Sequence, residues 1–190
     1  SNSGCSGCGA VFLYNFDNSS FEGGELAGTI GSGYTNANSA GDSNYDQSED
    51  TTANSNALLE ANDLFGLSIS LAGNMLAVVS RKGDGAEVDN NGTRRGHVHL
   101  YNFSSSTTFN GSPTLQAMIG EGFDNDYSSS DPRNGRDIDF TADEAFAIKG
   151  IAIDKDSDGV YLALGHMKDY GGSGGTQTEG SVNLYSFTDT

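Results

Sequence analysis

Gly9-Ala-Val-Phe-Leu-Tyr-Asn-Phe16 returns as Gly96-His-Val-His-Leu-Tyr-Asn-Phe103 and again as Gly180-Ser-Val-Asn-Leu-Tyr-Ser-Phe187. The copies begin 87 and then 84 residues apart, which marks a repeat protein with a unit of more than eighty residues. Side chains alternate across a strand, so Ala10, Phe12, Tyr14 and Phe16 share one face while Val11 and Leu13 share the other. Both faces are largely apolar. Such a strand fits inside a sheet covered on both sides, and the period moves the search for function from a catalytic pocket to an extended surface.

The repeat continues outward from the phrase. Leu26-Ala-Gly-Thr-Ile-Gly-Ser-Gly-Tyr34 follows the first copy and Leu115-Gln-Ala-Met-Ile-Gly-Glu-Gly-Phe123 the second, with Leu, Ile, Gly and an aromatic in matching places. Before the second copy lie Asp63-Leu-Phe-Gly-Leu-Ser-Ile-Ser-Leu71, a two-residue turn at Gly73-Asn74, and Met75-Leu-Ala-Val-Val79. Before the third lie Phe146-Ala-Ile-Lys-Gly-Ile-Ala-Ile153, a longer turn, and Val160-Tyr-Leu-Ala-Leu164. A complete unit therefore reads as four short strands. Gly, Asn, Asp and Ser fill the spaces between strands with turn chemistry, and no window carries a capped helical period. The expected fold class is all-β, antiparallel, with almost no helix: a single repeat-built domain over 1–190, with a partial unit at 9–35, a complete one at 63–123 and three strands at 146–187.

Composition bounds the partners. A chain of 190 residues can bury a core, yet 35% is apolar and 27 residues are Gly, so the apolar residues are concentrated in strands. Stretches 36–58, 81–95, 124–139 and 168–179 read as long polar loops, expected to share one side of the sheets or to meet neighbouring subunits. With 26 acidic against 9 basic residues the formal charge is −17. That excludes nucleic acid, which needs clustered Lys and Arg, and disfavours anionic membranes. It favours solubility and divalent cations. No run of about 18 apolar residues is present, so no membrane span is expected. The two Cys residues stand in Cys5-Ser-Gly-Cys8, ahead of a strand in a Gly-rich acidic chain. The spacing fits a structural disulfide, within the chain or between neighbours; free thiols and a zinc site shared by two subunits are the alternatives. A disulfide places the protein outside the cell, on its surface or beyond.

Asp63-Leu-Phe-Gly-x-Ser-Ile-Ser-Leu71, Gly73-Asn-x-Leu-Ala-Val78 and Gly96-x-Val-x-Leu-Tyr-x-Phe103 resemble the FG-GAP type of β-propeller repeat, found in integrin α-subunit heads and in long bacterial surface proteins. The resemblance is closest to the bacterial forms and covers one whole unit, the latter half of the unit before it and three strands of the unit after it. It implies propeller-like four-stranded blades in tandem and an extracellular adhesive or structural role. The third unit departs from the pattern, because Phe146 is followed by Ala147 in place of Gly. Nine strands in units of two, four and three are too few to close a propeller, which takes four to eight complete blades. The array is incomplete and open. Unpaired edge strands template other chains, so the strand carrying Val11 and Leu13, or the one carrying Val182 and Leu184, is expected to pair across a subunit boundary into a homopolymer.

Asp154-Lys-Asp-Ser-Asp-Gly-Val160 is the sharpest candidate site. Asp154, Asp156 and Asp158 at loop positions one, three and five, Gly159 at six and the Val160 carbonyl at seven match a Ca2+ loop. The resemblance implies calcium between the first two strands of a unit, where this loop lies. Against it, Leu162 takes the place of the closing ligand, and an Asp- and Gly-rich hairpin turn explains the same residues. Acidic stretches 42–50 and 124–139 read as solvated loop. His97 and His99 alternate on one strand and so share a face, which suits a two-ligand metal site or ordinary packing. Asn18, Asn91 and Asn102 match the glycan acceptor pattern, Asn91 being in a long loop. Three His residues and no nucleophile motif leave catalysis little to stand on, and no enzyme activity is expected. Two functions remain: an extracellular structural subunit that self-assembles into a fibre or layer by strand pairing, or a monomeric adhesion module that holds glycans or host surface proteins through its loops.

Overall fold

Alternating apolar side chains separated by Gly-rich turns favour extended backbone, and every regular element among the described residues of the computed structural model is a strand. The structure describes residues 6–34, 45–46, 59, 62–83, 96–104, 109, 113–120, 148–166 and 180–187. In chain order the strands are β1 (Ala10–Asn15), β2 (Glu25–Gly31), β3 (Tyr45–Asp46), β4 (Phe65–Ala72), β5 (Met75–Ser80), β6 (His97–Asn102), β7 (Thr114–Gly120), β8 (Ile148–Lys155), β9 (Val160–His166) and β10 (Ser181–Phe187). They form three sheets, ordered β1-β2-β3, β4-β5-β6-β7 and β8-β9-β10 from one edge to the other. Pairing is antiparallel except between β2 and β3. The protein is all-β and open, with no helix among the described residues.

The three copies of the phrase are β1, β6 and β10 with their flanks, and their surroundings differ. β6 is paired along its whole length on both edges, Ser80↔His97 through Met75↔Asn102 on one side and His97↔Gly120 through Asn102↔Thr114 on the other. β1 pairs with β2 and β10 with β9. Units one and two share a bulge as well. The register slips between Leu13 and Tyr14 against β2 and between Leu100 and Tyr101 against β7, leaving Ala27 and Gln116 as the extra residues.

Packing follows from the pleat. On the middle sheet Leu76, Val78, Tyr101 and Phe103 face the first sheet and meet Val11, Leu13 and Ile30, with Leu59 and Phe65 completing the cluster. Ala77, Val79, Val98, Leu100, Ala117 and Ile119 face the opposite way and meet Ile148, Ile153, Val160, Leu162 and Leu164 of the last sheet. The middle sheet is therefore covered on both faces over β5, β6 and β7, whereas along β4 Leu67, Ile69 and Leu71, on the side of Leu76 and Val78, stay 48%, 53% and 50% exposed; each large aliphatic side chain fully buried contributes about 1.5–3 kcal/mol. A direct link crosses the second interface where Ile153 N donates to Ser70 Oγ at 3.0 Å.

Several details depart from the sequence reading. Within the stretch expected to be loop at 36–58, Tyr45 and Asp46 form the short β3, aligned parallel to β2. Ile148 lies opposite His166 as Phe65 lies opposite Ser80, so Ile148 takes the place that the sequence pattern offered to Phe146, a residue outside those described. The expected loops at 124–139 and 168–179, and 84–95, also lie outside the described residues.

The Gly opening each copy of the phrase has a positive φ, 87° at Gly9, 84° at Gly96 and 73° at Gly180. Only Gly adopts this readily. At Gly9 a Cβ would run into the carbonyl oxygen of Phe65, where the chain bridges to the start of β4. Around that bridge Asn62 N donates to Ser6 O at 2.9 Å, Leu64 N to Gly7 O at 3.2 Å and Phe65 N to Cys8 O at 2.8 Å. Gly73, at the β4–β5 turn, has φ 56° but open space around it. Gly73→Ala should therefore cost about 1 kcal/mol of unfolding free energy, the left-handed penalty alone. Gly9→Ala should cost clearly more in urea unfolding; equal penalties would mean that this close approach does not hold the first sheet in place.

Candidate functional site

The repeat makes the two ends of the stack the informative surfaces, because the middle unit shows what each position looks like when covered. Pairing across the β5–β6 and β9–β10 ladders makes residues 75–80 equivalent to 161–166 and residues 97–103 equivalent to 181–187. By the same phrase, Val11 and Leu13 correspond to Val98 and Leu100 and to Val182 and Leu184. Tyr14 and Phe16 correspond to Tyr101 and Phe103 and to Tyr185 and Phe187. The first set will be called the front of each sheet and the second its back.

Leu13 and Leu100 are 5% and 3% exposed, whereas Leu184 at the equivalent place is 79% exposed and Val182 is 65%. Beside Leu184 the front of the last sheet forms a groove of about 340 Å³, lined by Ala152, Asp154, Tyr161, Ala163, Leu184 and Ser186 among others. The back of the first sheet is also uncovered. Phe12 is 53% exposed, where its counterpart His99 is fully buried, and Tyr14 and Phe16 lie beside it on the surface. The rings there are ordered by one another: Phe12 meets Tyr34 edge to face at 6.4 Å, and Phe16 meets Phe21 at 5.3 Å. Phe21 holds a left-handed φ of 61°, a strained state for an aromatic residue, in the turn that places its ring there. Of the expected assembly residues, Val182 and Leu184 are thus surface groups, while Val11 and Leu13 turn inward and pack on the middle sheet. The exposed side chains of β1 are its aromatics, which the sequence alone does not single out, since both faces of the phrase are apolar.

His97 and His99 do share a face, and that face is sealed between the first and middle sheets. Tyr101 OH and Ser80 Oγ each lie 3.3 Å from a nitrogen of His99, from Nδ1 and Nε2 respectively. A neutral ring satisfies both contacts, one nitrogen donating and the other accepting. His99 stacks on Tyr101 at 6.0 Å and 6°, and Phe65 meets it edge to face at 5.1 Å. The His97 ring fills the space over Gly83, where any Cβ would overlap it. Burial lowers the His97 pKa from 6.5 to about 4. Burial also holds His99 well below its ordinary value, with the neighbouring His97 charge pushing the same way.

The loop at 154–160 is a hairpin turn between β8 and β9. Asp156 Oδ1 accepts from Asp158 N at 2.7 Å and Gly159 N at 3.1 Å, and Asp156 N donates to Gly159 O at 3.1 Å. Asp154 Oδ1 accepts from Lys155 N at 2.9 Å, and Lys155 Nζ reaches Asn74 Oδ1 at 3.3 Å. The turn closes on the Asp156 carboxylate and backbone. Among the described residues no group of three or more His, Cys, Asp or Glu is gathered as a metal centre requires.

Cys8 is buried and disulfide-bonded; Cys5 lies outside the described residues. Asn18 is exposed in the β1–β2 turn, where its Oδ1 accepts from Ser20 N at 2.9 Å and its Nδ2 donates to Glu22 Oε2 at 2.7 Å. Asn102 is half-buried and accepts from Asn74 Nδ2, and Asn91 lies outside the described residues. Among the described residues no helix is long and apolar enough to cross a membrane. Comparison of the chain with protein-family models, with curated proteins and with solved structures finds no match.

Two measurements test these local assignments. The folded state disfavours imidazolium at His97 and His99, so the unfolded chain binds more protons between pH 6.5 and about 4. Stability should be full above pH 6.5 and fall as the pH drops through that window, by about 1.4 kcal/mol per pH unit for each proton taken up. Urea melts between about pH 7 and about pH 5, above the carboxylate range, should show the loss, and His97→Phe should reduce the slope; an unchanged slope would exonerate that ring. Asp156→Ala should cost about 1 kcal/mol for its lost turn hydrogen bonds, equally in calcium and in chelator. A penalty seen only with calcium would assign the carboxylate to an ion instead.

Proposed function

We propose that the protein is an extracellular structural subunit that polymerises with copies of itself into a fibre or surface layer by pairing the open edges of its terminal strands. One observation carries this reading. β6 has a strand on each edge, whereas its sequence copies β1 and β10 are each laddered along one edge among the described residues. A strand edge left open offers a row of backbone donors and acceptors to another chain. The repeat indicates what each edge lacks: among the described residues β1 has no counterpart of β5, and β10 has no counterpart of β7. The first sheet is short at one edge and the last sheet at the opposite edge, so the two defects differ. Contacts between different surfaces propagate from copy to copy.

Other features support the same role. A net charge of −17 keeps free subunits apart at low salt and allows association once screening shortens the repulsion. The disulfide at Cys8 suits an oxidising exterior. No binding chemistry beyond backbone pairing and apolar contact is required.

A proline scan across β10 tests the proposal. Successive residues of an edge strand direct their N–H groups alternately inward to the neighbouring strand and outward to the open edge. Proline at outward positions should abolish ordered polymers in negative-stain micrographs and leave the circular dichroism unchanged, because proline is tolerated at strand edges. Proline at inward positions should instead disrupt the β9–β10 ladder. Polymers that persist at every outward position, or a wild-type protein that stays as discrete particles, would overturn the reading.

A further inference from the structure

Both internal interfaces join the front of one sheet to the back of the next in chain order. Val11 and Leu13, the front of the first sheet, lie in one cluster with Tyr101 and Phe103, the back of the middle sheet. Val98 and Leu100, the front of the middle sheet, lie in the other cluster, against which Tyr185 and Phe187, on the back of the last sheet, pack. Among the described residues the rule leaves one front and one back unused. They are at opposite ends of the stack and have the chemistry that the internal contacts join: branched aliphatic groups at Val182 and Leu184, aromatic groups at Phe12, Tyr14 and Phe16.

We infer that the front of the last sheet in one copy receives the back of the first sheet in a second copy, repeating across the subunit boundary the contact that the chain makes twice within itself. The inference rests on the reading of the protein as a self-assembling subunit and adds to strand pairing a face-to-face contact that names the partner surface. The occupant is set by three observations. Stacked repeats that end in solvent present a polar outer face, but here both outer faces are apolar, and Leu184 exposes 79% of its surface where its internal counterpart exposes 3%. The groove beside Leu184, of about 340 Å³, is open to aromatic side chains at the site where Tyr185 and Phe187 meet the middle sheet one unit earlier. Finally, the two faces complement each other and neither complements itself, since the internal contacts set a front against a back. A second copy of this chain supplies the missing face with the right spacing, because the Tyr-x-Phe and Val-x-Leu pairs come from the same strand phrase.

A contact between unlike faces predicts an outcome that few other arrangements share. Leu184→Lys removes a working front and keeps the back; Tyr14→Lys removes a working back and keeps the front. Both positions are exposed, so each variant should fold with an unchanged urea midpoint; Val182→Lys and Phe12→Lys serve as second variants if either does not. Each variant alone should sediment as monomer, whereas an equimolar mixture should give dimers as its largest species, through the intact front of one and the intact back of the other. Wild type should form polymers under the same conditions. Lysine variants that polymerise like wild type would overturn the face contact and leave edge pairing standing, since neither substitution alters a backbone edge. Proline variants that still polymerise while the lysine variants do not would sink edge pairing and sustain the face contact. A mixture that stays monomeric would also overturn the inference.

Discussion

The middle sheet is apolar on both sides, and the rest of the structure depends on covering it. A strand with Val and Leu on one side and Tyr and Phe on the other cannot sit at a water-facing surface without exposing one of those sets. The first and last sheets provide the cover, except along β4, where Leu67, Ile69 and Leu71 stay exposed. Each in turn carries the same two-sided strand, so covering one sheet creates a new apolar face. This is a general property of repeats that cannot bury their own surfaces.

The same constraint explains the buried polar cluster. His97 and His99 occupy positions that hold Ala10 and Phe12 in the first copy of the phrase and Ser181 and Asn183 in the third. Being on the back of the middle sheet, they are sealed by the first sheet and must be neutral. The Ser80 and Tyr101 hydroxyls at His99 supply the polar contacts that water would otherwise provide. In the last sheet the analogous ladder position holds His166, and Asn183 Nδ2 lies 3.4 Å from its Nε2. A polar contact recurs at this level of the strand although its chemical members are exchanged.

The turn at 154–160 shows how one composition serves two chemistries. Alternating carboxylates suggest convergence on a cation, yet the Asp156 oxygen is already engaged by two backbone N–H groups of its own turn. Asp and Gly are favoured in tight turns for that self-contained hydrogen bonding. Residue type and spacing are shared by both uses, and only the direction of each side chain distinguishes them.

The strand content, the four-strand unit and the turns at Gly73-Asn74 and near 156–159 were legible in the sequence, because side-chain alternation and turn conformation are set by local backbone geometry. What local geometry leaves undetermined is which side of a two-sided strand is covered, since both sides of the phrase are apolar. The stacking of sheets made that choice, turning Val11 and Leu13 inward and leaving Phe12 and Tyr14 outside. It also put Ile148 where Phe146 was expected, joined β3 to β2 by a parallel contact, and buried a histidine pair whose alternation alone told only that the two rings share a face. Those outcomes depend on surfaces brought together from opposite ends of the chain, and no window along the sequence contains both partners.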